Sequence, residues 1–97
     1  MMNACTQPLE REIEIVNALG LHTLASTRLV KVAQGFVANV ELALDGVCAD
    51  AKSILELLTL GAKKGSRIVV SVEGPDSEAA LEAVCGLIAS GFEEKSE

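Results

Sequence analysis

The sequence predicts an α+β fold, an open-faced α/β sandwich in which three helices cover one face of a four-stranded antiparallel sheet. One observation behind this prediction is periodicity: apolar residues alternate with polar ones in some segments and recur at three- and four-residue steps in others. Another is the order of these segments, β-α-β-β-α-β-α, because right-handed crossovers then place the helices on one face. The length of 97 residues fits one domain with a single core.

The first strand is predicted to begin near Leu9, after a leader in which no periodicity is visible and Pro8 blocks strand pairing. In the following residues apolar and charged side chains alternate, which is typical of a strand with one face in solvent, and Ile13 and Ile15 point inward. We therefore predict a flexible leader over residues 1–8 and a single domain over residues 9–97.

The first helix follows a tight turn that Gly20 permits. Thr23 is a residue type that caps helices by accepting a hydrogen bond from a backbone amide one turn on. Gly35 marks the end of the helix, and Leu24 falls on its solvated face. The buried face is predicted from apolar residues at three- and four-residue steps: Ala25, Leu29, Val32, Ala33 and Phe36.

A hairpin and a short helix come next. Residues 37–44 contain an alternating strand pattern, and Asp45-Gly46 is a strong hairpin signal, so residues 47–49 form the returning strand. The short helix lies within residues 50–61 and is closed by Gly61. It carries more apolar residues than one buried stripe uses. Either the helix is deep in the core, or its surplus apolar residues form an exposed docking patch: Ile54, Leu55 and Leu58.

The last strand and helix complete the predicted order. Residues 67–73 are rich in β-branched side chains, which favours a central strand. Asp76 or Ser77 is predicted to cap the last helix. Its buried face is predicted to contain Leu81, Val84, Cys85, Leu87 and Ile88.

Composition excludes several function classes. Acidic residues outnumber basic ones by 14 to 8, and no basic cluster with interleaved aromatics is present, so nucleic acid is not an expected partner. The 3 cysteines are widely spaced without a C-x-x-C pair, as in a reduced cytoplasmic protein. There is no secretory signal and no apolar run of ~18 residues, so we expect no membrane insertion. We expect a cytoplasmic monomer without metal or cofactor, since clustered ligands are missing.

His22, the only histidine, lies where the first strand gives way to the first helix. The start of a helix leaves backbone N–H groups unpaired and carries about half a positive charge, so it binds anions well. An imidazole at such a place can accept a phosphoryl group. The alternative role is that of a solvated or capping histidine. A small enzyme with a Cys-His nucleophile pair is the weakest alternative and stays open, although nothing in the sequence places Cys48 or Cys85 near His22.

Several short segments resemble the HPr family, the histidine-containing phosphocarriers. They are Gly20-Leu21-His22-Thr23, Leu29-Val30-Lys31, Gly35-Phe36, Ala51-Lys52-Ser53-Ile54, and Thr59-Leu60-Gly61 followed by Gly65. The resemblance covers roughly residues 10–92. It implies the same fold and a covalent carrier rather than a stand-alone enzyme. In that role His22 accepts a phosphoryl group from phosphoenolpyruvate-dependent enzyme I and passes it to EIIA-type proteins of a sugar or nitrogen-regulatory phosphotransferase system.

This chain departs from the family pattern next to the histidine. The family typically has a small residue, an arginine and often a proline there, whereas this chain has Thr23, Leu24 and Ala25. Because a guanidinium pairs bidentately with phosphate, its loss leaves the backbone amides of Thr23 and Leu24 as the expected phosphate ligands. Arg28, one turn after Leu24, is a further candidate. The alternative is a regulatory binding module of the same fold with slow or absent phosphotransfer.

The resemblance implies a second modification site and a partner surface. Ser53 corresponds to a serine that an HPr kinase/phosphorylase modifies in part of the family, and its plain alternative role is a helix cap. The residues expected to contact partner proteins are Leu24, Thr27, Ile54, Leu55 and Leu58.

Overall fold

The computed structural model describes residues 8–93, and its elements follow the predicted order. The strands are β1 (Leu9–Glu14), β2 (Asn39–Leu44), β3 (Val47–Asp50) and β4 (Arg67–Glu73), and the helices are α1 (Thr23–Gln34), α2 (Ile54–Leu60) and α3 (Ser77–Ala89). Apart from Pro8, the predicted leader lies outside the described residues. The division into a leader and a domain stays a prediction.

Within residues 8–93 the four strands form one antiparallel sheet in the order β1-β4-β2-β3. The predicted central strand is confirmed, since β4 pairs with β1 from Leu9↔Val72 to Glu14↔Arg67 and with β2 on its other side. Alternate residues of β4 are buried, namely Ile68, Val70 and Val72. The period-2 pattern of this strand therefore separates a core face from an open face.

The helices supply the other half of the core. Helix α3 packs on β1 and β4, α2 packs on β3, and α1 contacts both α2 and α3. Ile15 is fully buried and Ile13 packs partly against the core, as predicted. No helix within residues 8–93 has the length and apolar character needed to cross a membrane. The largest fully buried side chains include Phe92, Ile15, Leu29, Leu42, Leu57, Ile68 and Ile88.

The predicted buried face of α1 is largely confirmed. Ala25, Leu29 and Ala33 are buried, whereas Val32 and Phe36 are only partly buried. The apolar stripe is wider than predicted, because Ser26 and Val30 are buried as well. The helix ends at Gln34 with Gly35 as its C-cap.

The hairpin and the end of α2 also match their predictions. Asp45 and Gly46 both have positive φ, 52° and 83°, which is the backbone of the two-residue turn that suits the twist of a hairpin. Gly61 adopts the left-handed conformation, with φ 70°, and ends α2 as its C-cap.

Asp76 explains two differences between the predicted and observed elements. Its carboxylate accepts hydrogen bonds from the backbone amides of Val37 and Ala38, both at 2.8 Å. Strand β2 therefore begins at Asn39 and not at residue 37, because these two amides point to Asp76. Asp76 does occupy the N-cap position of α3, but its side chain makes no capping hydrogen bond. The predicted capping role is thus replaced by a link between α3 and the segment before β2.

Candidate functional site

The loop that carries His22 is held against the segment between α2 and β4. The Ile15 amide donates to the Ser66 carbonyl at 2.9 Å, and the Leu21 amide donates to the Ala62 carbonyl at 3.0 Å. Gly20 has a φ of 64°, and a Cβ there would lie 2.4 Å from the Ala62 oxygen. Only glycine fits at this turn, which confirms the prediction that Gly20 permits a tight turn before the helix.

His22 itself is the N-cap of α1. Its backbone is extended, and its Nδ1 accepts a hydrogen bond from the Leu24 amide at 3.3 Å. Its carbonyl accepts the first bond of the helix, from the Ser26 amide at 2.8 Å. The prediction that Thr23 caps the helix is wrong, because the ring of His22 already occupies the cap and Thr23 is the first helical residue.

This capping geometry assigns a role to each ring nitrogen of His22. Because Nδ1 accepts a hydrogen bond, its lone pair faces the start of α1, and the proton of the neutral ring resides on Nε2. The amides of Thr23, Leu24 and Ala25 precede the first intrahelical donor and so project from the helix end. An anionic group attached to Nδ1 would meet these amides and the positive end of the helix dipole.

The side chain of Arg28 contacts the turn after α3. Its Nη1 donates to the Phe92 carbonyl at 2.6 Å, and its side chain is partly buried. This contact engages part of the guanidinium with the protein backbone. A role for Arg28 as a phosphate ligand stays a prediction.

The exposed apolar residues predicted around the site are exposed. Leu24 is 48% exposed and Leu55 is 74% exposed, and Ile54 and Leu58 also present apolar surface to solvent. The sequence left two alternatives for α2, deep burial or an exposed docking patch. Deep burial is wrong for Ile54, Leu55 and Leu58, and only Leu57 of this helix is buried. We call Leu24, Ile54, Leu55 and Leu58 the apolar patch. Thr27, half-buried on α1, donates to the Thr23 carbonyl at 2.8 Å.

Ser53 is the N-cap of α2. Its Oγ accepts a hydrogen bond from the Glu56 amide at 3.2 Å, and the Glu56 carboxylate accepts one from the Asp50 amide at 2.8 Å. The capping role that the sequence suggests for Ser53 is confirmed. Its side chain is partly exposed, and its phosphorylation stays a prediction.

Two buried polar residues of the site had escaped the sequence analysis. Asn17 donates through Nδ2 to the Gly20 carbonyl at 2.8 Å, and Ser26 donates through Oγ to the Leu21 carbonyl at 3.3 Å. An asparagine three residues before a glycine is a turn signal, because its short amide bonds nearby backbone groups. Ser26 carried no comparable signal, since it lies inside an amphipathic helix.

The described cysteines lie in contrasting environments. Cys48 is exposed on β3, and Cys85 is buried on α3, where burial raises the pKa of its thiol. Within residues 8–93 no group of three or more His, Cys, Asp and Glu side chains could hold a metal ion.

Comparison with known proteins gives concordant results. The family model described as the PTS HPr component phosphorylation site matches residues 9–90. The chain is 41% identical over 86 residues to the phosphocarrier protein HPr of Cupriavidus necator, covering 89% of this chain and 97% of the relative. It is 42% identical over 87 residues to the phosphocarrier protein NPr of Escherichia coli, with the same coverage of 89% and 97%.

Solved structures agree with the sequence comparisons. The crystal structure of HPr from Thermoanaerobacter tengcongensis superposes with a TM-score of 0.87 at 35% identity, covering 91% of this chain and 99% of that one. This match and the element order confirm the predicted fold. On these grounds the chain belongs to the HPr family, the phosphocarrier proteins of the phosphotransferase system.

Proposed function

We propose that Nδ1 of His22 accepts a phosphoryl group from phosphoenolpyruvate-charged enzyme I and passes it to an EIIA-type protein of a sugar or nitrogen-regulatory system in the cytoplasm. The observation that carries this proposal is the direction of the ring. Nδ1 faces the Leu24 amide at the start of α1, where the helix offers its unpaired donors to an anion. The protein acts as a carrier, and the partners supply most of the transfer machinery.

The chemistry needs little from the carrier beyond position and charge. The Nδ1 lone pair attacks phosphorus while the bond between phosphorus and the donor's leaving group breaks, so no proton has to leave the nucleophile. Phosphoryl transfer has a loose transition state in which catalysis is mostly positioning and electrostatic stabilisation. The amides of Thr23 and Leu24 would take the phosphoryl oxygens once the Leu24–Nδ1 hydrogen bond is given up.

The proposed partner surface is the apolar patch together with Thr27. Helices α1 and α2 pack against each other, so their exposed leucines and Ile54 lie on neighbouring elements. Apolar side chains that are desolvated on docking favour association, and they also exclude water from the transferring group. A partner that covers this patch would approach with His22 at the edge of the contact.

Ser53 is the proposed site of regulation by an HPr kinase/phosphorylase. A phosphate on its Oγ would lie at the start of α2 and beside Ile54, the first residue of that helix. It would add nearly two negative charges next to the apolar patch. Phosphorylation there would oppose docking of an acidic partner surface without removing a core contact.

Intact mass spectrometry with enzyme I and phosphoenolpyruvate tests the assignment of His22. The wild-type chain should gain one phosphoryl mass, and His22→Ala should gain none, because it lacks the nucleophile. Thr23→Ala is the matched control, since it keeps both the ring and the backbone amides. No gain in the wild type, combined with measurable binding to an EIIA-type protein, would favour the regulatory binding module. An equal gain in His22→Ala would exclude His22 as the acceptor.

A further inference from the structure

We infer that Asn17 is a positioning residue for phosphoryl transfer, because its side chain holds the Gly20 carbonyl that in turn orients the backbone of His22. This inference rests on the proposed function of His22 and adds the residue that sets the direction of its ring. Asn17 lies five positions before His22 in sequence, on the loop between β1 and α1.

Asn17 binds Gly20 twice. Its Nδ2 donates to the Gly20 carbonyl at 2.8 Å, and its own carbonyl accepts from the Gly20 amide at 3.2 Å. The two bonds close the four-residue turn Asn17–Gly20 from both the side chain and the main chain. Asn17 is only 7% exposed, so water does not readily replace its side-chain bond to Gly20.

The Gly20 carbonyl is also the acceptor for His22. The His22 amide donates to it at 2.9 Å, so one oxygen receives hydrogen bonds from Asn17 and from His22. A carbonyl oxygen has two lone pairs, and both are used here. If the Asn17 bond is lost, the Gly20 carbonyl keeps only the His22 amide as a partner, and the turn that precedes His22 is held less firmly.

Neighbouring contacts hold the groups on either side of the Gly20 carbonyl, so the Asn17 bond completes the set that orients the backbone before His22. The Leu21 amide is held by the Ala62 carbonyl at 3.0 Å, and the Leu21 carbonyl is held by Ser26 Oγ at 3.3 Å. The turn after α3 packs against Asn17, since a Cβ on Gly91 would lie 3.7 Å from the Asn17 Cβ. Asn17 is thus enclosed between the loop and that turn, and its amide has a defined direction.

The expected consequence is on chemistry more than on docking. Asn17 is buried and is not one of the residues of the apolar patch, so its loss should leave partner affinity nearly unchanged. A looser His22 backbone would let the ring turn away from the start of α1, and Nδ1 would less often lie where a phosphoryl group on it meets the amides of Thr23 and Leu24. A misplacement of about 1 Å in a reacting group can cost as much as about 100-fold in rate.

The test uses Asn17→Asp and Asn17→Ala in the full chain. Asn17→Asp keeps the shape of the side chain but replaces the Nδ2 donor by an oxygen. It is the variant to measure if Asn17→Ala does not fold. Asp76→Asn is the control for lost stability, because it weakens a partly exposed link on another part of the fold. Two readouts are needed: the rate of phosphoryl transfer from charged enzyme I, and the ¹⁵N chemical shifts of the His22 ring in the unphosphorylated chain.

We expect the maximum transfer rate of both Asn17 variants to fall by about tenfold, with KM changed by less than about twofold. The ring shifts should move away from the tautomer protonated on Nε2, whereas Asp76→Asn should keep wild-type shifts and rates. Equal rate losses in the Asn17 variants and in Asp76→Asn, a loss confined to KM, or unchanged ring shifts would overturn the inference. If the wild type takes up no phosphate, the proposed function fails, while the ring shifts still decide the role of Asn17.

Discussion

Leu24 stands where the resemblance to the HPr family leads us to expect an arginine. It lies two residues after His22, the proposed acceptor, and about half of it is exposed. Without a guanidinium, a phosphoryl group on His22 would rely on backbone amides and the helix dipole, and the dipole contributes roughly 0.3–1 kcal/mol at an exposed site. A hydrogen bond to a charged group contributes roughly 1.5–3 kcal/mol. The missing arginine is therefore expected to slow transfer.

We predict that Leu24→Arg raises the rate of phosphoryl transfer from enzyme I, by about tenfold for each 1.4 kcal/mol recovered in the transition state. Leu24→Gln is the control, because it has a polar side chain of intermediate length and no charge. Stopped-flow transfer rates with a cognate enzyme I provide the measurement. A slower Leu24→Arg protein would mean that Leu24 docks on an apolar partner surface, where an unpaired charge is costly.

A second substitution separates the contribution of Arg28. If Arg28 only holds the Phe92 carbonyl, Arg28→Ala lowers stability and leaves the transfer rate of the folded protein near that of the wild type. If Arg28 turns to the phosphoryl group during transfer, Arg28→Ala slows transfer and Leu24→Arg adds little.

At the level of single elements, α2 has one face that is buried in the core and one face that is exposed to solvent. Leu57 is fully buried in the core, whereas Leu55, two positions earlier, is among the most exposed apolar residues described. The helix has only 7 residues, so nearly all of its stability must come from the packing of its buried side. The exposed side is then free to be used for binding.

We predict that Leu55→Asp weakens binding of enzyme I or an EIIA-type protein by at least about tenfold, or about 1.4 kcal/mol, while the thermal unfolding temperature changes little. The matched variant Leu57→Asp should unfold the domain, since it buries an unpaired charge. Calorimetric titration and circular dichroism give the two measurements. Unfolding of Leu55→Asp to the same extent would show that Leu55 belongs to the core.

Periodicity in the sequence was enough to predict most elements. Some features are determined by residues that are adjacent in sequence, so local patterns reveal them. Examples are the β-branched strand β4, the Asp45-Gly46 turn and the glycine that ends α2. The start of β2 could not be found in this way. It depends on a hydrogen bond between Val37 and Asp76, which are 39 positions apart in the chain.

The positions of the candidate-site residues were predictable to a similar extent, and their roles stay predictions. His22 and the exposed leucines follow from the sequence, because a lone histidine before a helix and surplus apolar residues are local features. The capping by the His22 ring, and the bond from Asn17 to Gly20, depend on how the loop folds back on itself. Side chains that bind backbone groups leave little trace in hydrophobic periodicity.

At the scale of the whole molecule, Asp76 links α3 to the segment between α1 and β2. Hydrogen bonds from the backbone amide of Val37, and then from that of Ala38, hold the pKa of its carboxyl below the ordinary value, and the positive charge of Lys52 acts in the same direction. Lys52 also donates to the Phe36 carbonyl at 2.9 Å. The contacts of these two charged side chains join segments that are distant in sequence.

This link predicts a specific dependence of stability on pH. Because folding lowers the pKa of Asp76, its contribution is fully present above the unfolded pKa of about 3.9 and is lost as the pH falls through the folded pKa. Asp76→Asn should therefore be less stable than the wild type at neutral pH, and the difference should shrink in acid.

Urea unfolding at pH 7 and at about pH 3 checks this expectation. Glu78→Gln is the matched control, since it removes an exposed carboxylate from the first turn of the same helix. A stability difference between Asp76→Asn and the wild type that stayed constant across this range would show that the charge of Asp76 is not what links these segments.

The position of the turn after α3 matters for anyone who wishes to attach this protein to a surface or a fluorophore. Gly91 lies against Val16 and Asn17, so a label joined near residue 93 would emerge beside the loop that carries His22. Leu9 pairs with Val72, whereas Glu14, at the other end of β1, leads toward that loop. A linker attached before Pro8 would therefore be at the end of β1 that is away from the His22 loop. We recommend this attachment point for immobilised protein, because it leaves His22 accessible from solution.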